Sequence, residues 1–134
     1  MKDECIFERR DGLSKHPGST ALLRGKQGED LAARFLEQRG LHILARNYRC
    51  RQGEVDLVAR DGTTLVFVEV RWRGGQRFGG AVESIDIRKR RRLVAAARHY
   101  LGVSGVTLAC RFDAILIQGN EDVVLEWVRD ACWT

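Results

Sequence analysis

Two short segments hold the residues of this chain best suited to chemistry, Gly53-Glu54-Val55-Asp56 and Phe67-Val68-Glu69-Val70-Arg71. They flank Asp61-Gly62, a dipeptide that takes positive φ readily, and their apolar and β-branched alternation predicts a β-hairpin. With Asp61-Gly62 as a two-residue turn, Arg60 faces Thr63, Glu54 faces Glu69 and Asp56 faces Phe67. Asp56, Glu54, Glu69 and Arg71 then project from one side of the sheet, with Asp56 and Glu69 diagonal neighbours at roughly 7–8 Å. Carboxylates so placed can converge on one divalent cation. Opposed acids on otherwise apolar strands destabilise a sheet unless something positive neutralises them. The alternative is a ladder in which Arg71 and Arg73 neutralise the acids at the sheet edge. A three-residue turn would put Asp56 and Glu69 on opposite faces, so the site depends on the turn.

The surrounding elements must position these segments. Leu31, Ala32, Phe35 and Leu36 form the apolar stripe of a helix over residues 26–38, stopped by Gly40. Glu29 falls in its first turn, where it either leans toward the sheet or complements the helix N-terminus. Strands follow over residues 41–50, 54–60 and 64–73. The glycine-rich residues 74–80 are a loop lacking the lysine and spacing of a nucleotide P-loop. A second helix over residues 87–101 has Ser84 or Asp86 as cap, Leu93, Val94, Ala97, Tyr100 and Leu101 as stripe and Gly102 as stop. Strands over residues 107–118 and 122–128 flank a Gly119-Asn120 turn. The order α-β-β-β-α-β-β, with a crossover helix between the third and fourth strands, predicts the α/β class, a mixed β-sheet flanked by α-helices. Residues 1–20 read as a loosely structured N-terminal arm ahead of one domain over residues 21–134.

At 134 residues and 44% hydrophobic, the chain can bury one real core. No segment approaches the roughly 20 consecutive apolar residues of a membrane span. The charged start lacks the apolar run of a secretory signal, so a cytoplasmic protein is expected. Four cysteines, Cys5, Cys50, Cys110 and Cys132, form no C-x-x-C pair and read as buried reduced thiols rather than a zinc site. The net charge of +5 is concentrated: from Arg71 to Arg92, eight basic residues stand against Glu83 and Asp86. Arg88-Lys89-Arg90-Arg91-Arg92 opens the second helix, where cations repel one another and oppose the helix dipole, and an anionic ligand would relieve both costs. Arg73, Arg77, Arg88, Lys89, Arg91 and Arg92 are therefore candidate contacts to a nucleic acid. The alternative is a solvated helix face.

Gly28-Glu29-Asp30-Leu31-Ala32, Asn47-Tyr48-Arg49, Gly53-Glu54-Val55-Asp56-Leu57, Phe67-Val68-Glu69-Val70-Arg71, Phe78-Gly79-Gly80-Ala81, Lys89 and Arg111-Phe112-Asp113 together resemble the bacterial YraN family. These predicted endonucleases are similar to archaeal Holliday junction resolvases of the restriction-endonuclease-like superfamily. The resemblance runs in consistent order from about residue 25 onward. It implies a restriction-endonuclease-like core, and metal-binding acids at Glu29, Asp56 and Glu69 with the Val70 carbonyl. It also implies Mg²⁺ or Mn²⁺ as cofactor, hydrolysis of DNA phosphodiesters, branched DNA among the candidate substrates, and a homodimer as in the resolvases. Arg71 stands where the superfamily usually has lysine; arginine stays protonated and can clamp a phosphate but cannot act as a base. Lys89 is the candidate to supply that ammonium from another element. Asp56, Glu69, Arg71 and Lys89 are thus the candidate catalytic residues. A nucleic-acid-binding module with weak or lost catalysis is the second reading, and a scaffold for an acidic protein the third.

Overall fold

A computed structural model describes residues 5–10, 21–73, 87–119 and 122–131. Its elements in chain order are β1 (Cys5–Arg10), α1 (Ala21–Gln38), β2 (His42–Cys50), β3 (Gly53–Asp61), β4 (Thr64–Arg73), α2 (Ile87–Ser104), β5 (Ala109–Gln118) and β6 (Val123–Val128). From α1 onward the order is the predicted one. The strands form one mixed sheet in the order β1-β6-β5-β4-β3-β2, in which only β4 and β5 run parallel, as the crossover through α2 requires. β1 pairs antiparallel with β6, so part of the segment read as a loose arm is an edge strand. Its six residues have too little apolar alternation to announce one.

The sheet is covered on both faces. Leu31, Ala32, Phe35 and Leu36 of α1 pack on Leu57, Ala59, Val66, Val68, Ile115 and Trp127. Leu93, Ala96 and Ala97 of α2 pack on Val55, Val58, Leu65, Phe67, Ala114 and Leu116. Ala96 takes the buried place expected of Val94, which is only partly covered. α2 also runs past Gly102 to Ser104, and the Gly105 N–H closes it on the Leu101 carbonyl at 3.0 Å. Cys50 is half-buried and Cys110 exposed, both as free thiols, so Cys110 is not the buried thiol expected from its strand. Cys132, Ser84, Asp86 and the glycine-rich loop lie outside the described residues.

The β3–β4 turn departs from the predicted one in an instructive way. Asp61 pairs with Thr64 and Arg60 with Leu65, so the two turn residues are Gly62 and Thr63. Gly62 has φ 62° and Asp61 is not in the left-handed region, the pattern of a type II′ turn, which asks positive φ only of its first residue. Centring the turn on Asp61-Gly62 would instead have demanded positive φ of an aspartate. The register moves by two residues, which preserves the side of the sheet on which each residue falls.

Asp61, freed from the turn, accepts from Arg111 Nη2 at 3.1 Å and Arg129 Nη2 at 3.2 Å. Beside it the fully buried Asp113 accepts from Arg111 Nε at 3.0 Å, Trp127 Nε1 at 3.0 Å and the Asp130 N–H at 2.8 Å. These bonds tie the end of β3, β5, β6 and the residues after β6 together, with Asp113 set beside Val68 of β4. Removing a buried, fully bonded carboxylate strands its donors, so Asp113→Ala should lower stability by about 3 kcal/mol or more. Urea unfolding followed by circular dichroism measures this, and a loss below about 1 kcal/mol would contradict the role given to Asp113.

Candidate functional site

The β3–β4 ladder runs from Asp61 and Thr64 to Leu57 and Val68 and goes no further. Beyond it the alternation of β3 slips: Val58 and Val55 both pack in the α2 layer, with Leu57 between them in the α1 layer. A regular strand sends residues three apart to opposite faces. Ala45 and Tyr48 of β2 repeat the pattern, and between them Asn47 has φ 51°. β2 and β3 thus twist together at Asn47 and Asp56. The Val70 N–H of β4 meets the Asp56 carboxylate, donating to Oδ2 at 2.8 Å, in place of a β3 carbonyl. The N–H and C=O of a strand residue point toward the same neighbour, so the Val70 carbonyl faces the same opening.

Carried one step past the last ladder pair, the register would set Asp56 against Glu69, closer than the diagonal predicted from sequence. Each carboxyl group feels the charge and proton of the other. Glu69 is 2% exposed and shares the α2 side of β4 with Phe67. Lys89, in the first turn of α2, brings Nζ to 3.0 Å from Glu69 Oε2. Burial, and then the neighbouring Asp56 charge, push the Glu69 carboxyl up to about 8, with Lys89 opposing. Burial also raises Asp56, against the pull of the Val70 N–H and Lys89. A buried carboxyl beside a half-buried one, with Lys89 only partly offsetting the cost, keeps the Glu69 proton near neutral pH.

Glu29 approaches from the α1 side. α1 begins at Ala21, so Glu29 lies well inside the helix and not in its first turn; complementing the helix N-terminus is excluded as its role. Asn47 Nδ2 donates to Glu29 Oε1 at 2.7 Å, and Asp30 next to it pairs with Arg46. Burial raises the Glu29 pKa, the Asn47 bond opposes that, and the Asp56 charge adds to it. Glu29 therefore senses Asp56 without joining a compact trio: among the described residues no three His, Cys, Asp or Glu side chains form a metal cage.

Glu54 does not face Glu69, because the register shift of two residues carries it past that position; it pairs with Arg49 of β2 at 3.4 Å. Arg71 is half-buried on β4 two residues beyond Glu69, while Arg88, Arg91 and Arg92 are exposed along α2. Arg77 and the side chain of Arg73 lie outside the described residues. Asn47 entered the sequence reading only as part of a family motif, although an asparagine inside a strand is the residue type that tolerates left-handed backbone. The donors facing the opening, two carboxylates and a carbonyl, are all hard oxygens of the kind that bind magnesium-like ions and leave the remaining positions to water and phosphate.

Fold and site together define a class: a three-layer α/β protein whose sheet opens around a carboxylate pair, buried at Glu69 and half-buried at Asp56, at the foot of a basic helix. Among the described residues no helix is long and apolar enough to cross a membrane. A family model described as uncharacterised protein family UPF0102 matches residues 28–117. A UPF0102 protein of Ralstonia nicotianae is 53% identical over 120 residues, covering 86% of this chain and 88% of its own length. One from Nitrosomonas europaea is 50% identical over 113 residues, covering 84% of this chain and 96% of its own. One from Nitrosospira multiformis is 52% identical over 112 residues, covering 84% and 94%. The chain belongs to the UPF0102 family, the YraN type that its motifs resemble.

The folded protein holds the Glu69 proton from the ordinary 4.5 up to about 8, a range in which the unfolded chain has released it. The group's contribution to stability is thus fully present below 4.5 and is lost as pH rises to about 8. Glu69→Gln cannot lose that proton. Without divalent metal, its stability relative to wild type should rise between pH 5 and pH 8.5 by a few kcal/mol, one pKa unit being worth about 1.4 kcal/mol. Urea titrations at the two pH values with chelator test this, and a pH-independent difference would refute it.

Proposed function

We propose that this protein is a metal-dependent endonuclease that hydrolyses DNA phosphodiesters, with Asp56, Glu69 and the Val70 carbonyl holding Mg²⁺ or Mn²⁺. The observation that carries this reading is the half-buried Asp56 beside the buried Glu69, with Lys89 3.0 Å from Glu69, opening onto a helix that exposes Arg88, Arg91 and Arg92. A bound ion would lower the pKa of a water and stabilise charge developing on the phosphate. The chain's own residues supply the rest. The Val70 N–H fixes the Asp56 carboxylate, so its orientation is set before any substrate arrives. Lys89 holds an ammonium beside Glu69, the group that Arg71 replaces in its usual place. Arg71 keeps its charge and is suited to clamp a phosphate, while Arg88, Arg91 and Arg92 attract the backbone from a distance. Glu29, held by Asn47, is a candidate to orient a water or a second ion. A homodimer would suit the two-fold symmetry of a branched junction, and such a protein would work in the cytoplasm.

Arg71 favours a second reading, a nucleic-acid-binding module of the same fold with weak or no catalysis. One assay separates the two: wild type and Asp56→Asn on labelled linear, single-stranded, flap and four-way-junction DNA, with Mg²⁺, Mn²⁺ or EDTA. The endonuclease reading expects product from wild type with metal, none with EDTA, and a loss of about 100-fold or more in Asp56→Asn. Binding by both proteins without cleavage in any metal would overturn it in favour of the binding module.

A further inference from the structure

The turn between β2 and β3 carries a second group of cations to α2. Gly53, the first residue of β3, lies so close to the helix that a Cβ there would sit 2.0 Å from the Arg92 carbonyl oxygen. Only glycine permits this approach, which holds the end of the hairpin against α2 three residues beyond Lys89. Asp56 stands three residues along β3 from the same contact. Helix and strand thus both lead from the carboxylate pair to one junction. Arg51 in the turn and Arg92 on the helix are exposed there. The neighbouring cation on β2, Arg49, pairs with the nearby acid Glu54 at 3.4 Å. Arg51 and Arg92 therefore set the charge of the junction, and Arg88 and Arg91 continue it along the helix.

We infer that the junction of Arg51 and Arg92 is a phosphate-binding subsite that holds the nucleic-acid backbone beside the bond to be cut, on the β2 side. This rests on the endonuclease reading for its polyanion. Three strand residues span about 10 Å, so the subsite meets phosphates flanking the one at Asp56 and Glu69. Guanidinium groups match phosphate oxygens with paired donors, and such contacts position a backbone without reading its sequence. The subsite therefore serves register and affinity on any sequence.

Fluorescence anisotropy of a labelled DNA duplex in EDTA, titrated across KCl concentrations, tests the assignment. The Arg51→Ala/Arg92→Ala double variant should bind about tenfold more weakly at moderate salt. It should also lower the slope of log affinity against log salt by nearly 2, each phosphate contact contributing about 0.9. Arg34→Ala/Arg60→Ala, which removes two exposed cations placed elsewhere, should leave the slope as in wild type. A wild-type slope in the Arg51 and Arg92 variant, with a reduced slope in Arg88→Ala/Arg91→Ala, would overturn the subsite and leave the endonuclease reading standing. Failure of wild type to bind DNA at all would overturn both.

Discussion

The hydrogen bond from the Val70 N–H to the Asp56 carboxylate is the constraint on which the rest of the site depends. Inside a sheet that N–H must find an acceptor, and a neighbouring strand ordinarily offers a backbone carbonyl. Here the twist at Asn47 and Asp56 opens the ladder, and the side chain of Asp56 takes the carbonyl's place. An acid is thereby fixed inside the layer, against a second acid on the next strand. Burial then makes the full charge of both unfavourable, and the surroundings answer with an ammonium from α2 and a retained proton. Local backbone geometry, the charge state of the pair and its demand for cations form one chain of cause.

Both helices are tied to this region by polar contacts as well as by their apolar stripes. On one face Glu29 and Asp30 engage Asn47 and Arg46; on the other Lys89 reaches Glu69, and His99 meets Tyr48. The exposed pairs among these contribute at most about 1 kcal/mol each, while the core layers carry the stability. What the polar contacts supply is position. They hold α1 and α2 in register with the two strands whose twist forms the opening.

Much of the fold was legible because its elements obey simple periods. β4 was read to the residue, and the helical stripes were right at Leu31, Phe35, Leu36, Leu93 and Ala97. The crossover helix fixed the parallel pair. Where the reading departed, a local term outweighed the pattern. One glycine with positive φ moved the hairpin turn, and through it the partners of Asp56 and Glu54. β1 is recruited by pairing with a distant strand, which no local window of sequence encodes. The juxtaposition of Asp56 and Glu69 survived because a shift of two residues preserves side. The slip at Asp56, in contrast, comes from the joint twist of two strands. Lys89 was legible as a charge near a helix start and, through the resemblance, as the candidate ammonium; that it meets Glu69 follows from how α2 crosses the sheet.

The twist at Asn47 also bears on how the molecule behaves in a crowded solution. β2 is one of the two outermost strands of the sheet, and a long, regular outer strand is a template on which other chains can stack. This one is irregular in two places: the register shifts between Ile43 and Ala45, and Asn47 takes a left-handed backbone. Neither interruption leaves a straight run of main-chain donors and acceptors for a foreign strand to read. The same asparagine that steadies Glu29 thus helps keep the protein from aggregating, so selection for solubility and selection for the site would act on one residue.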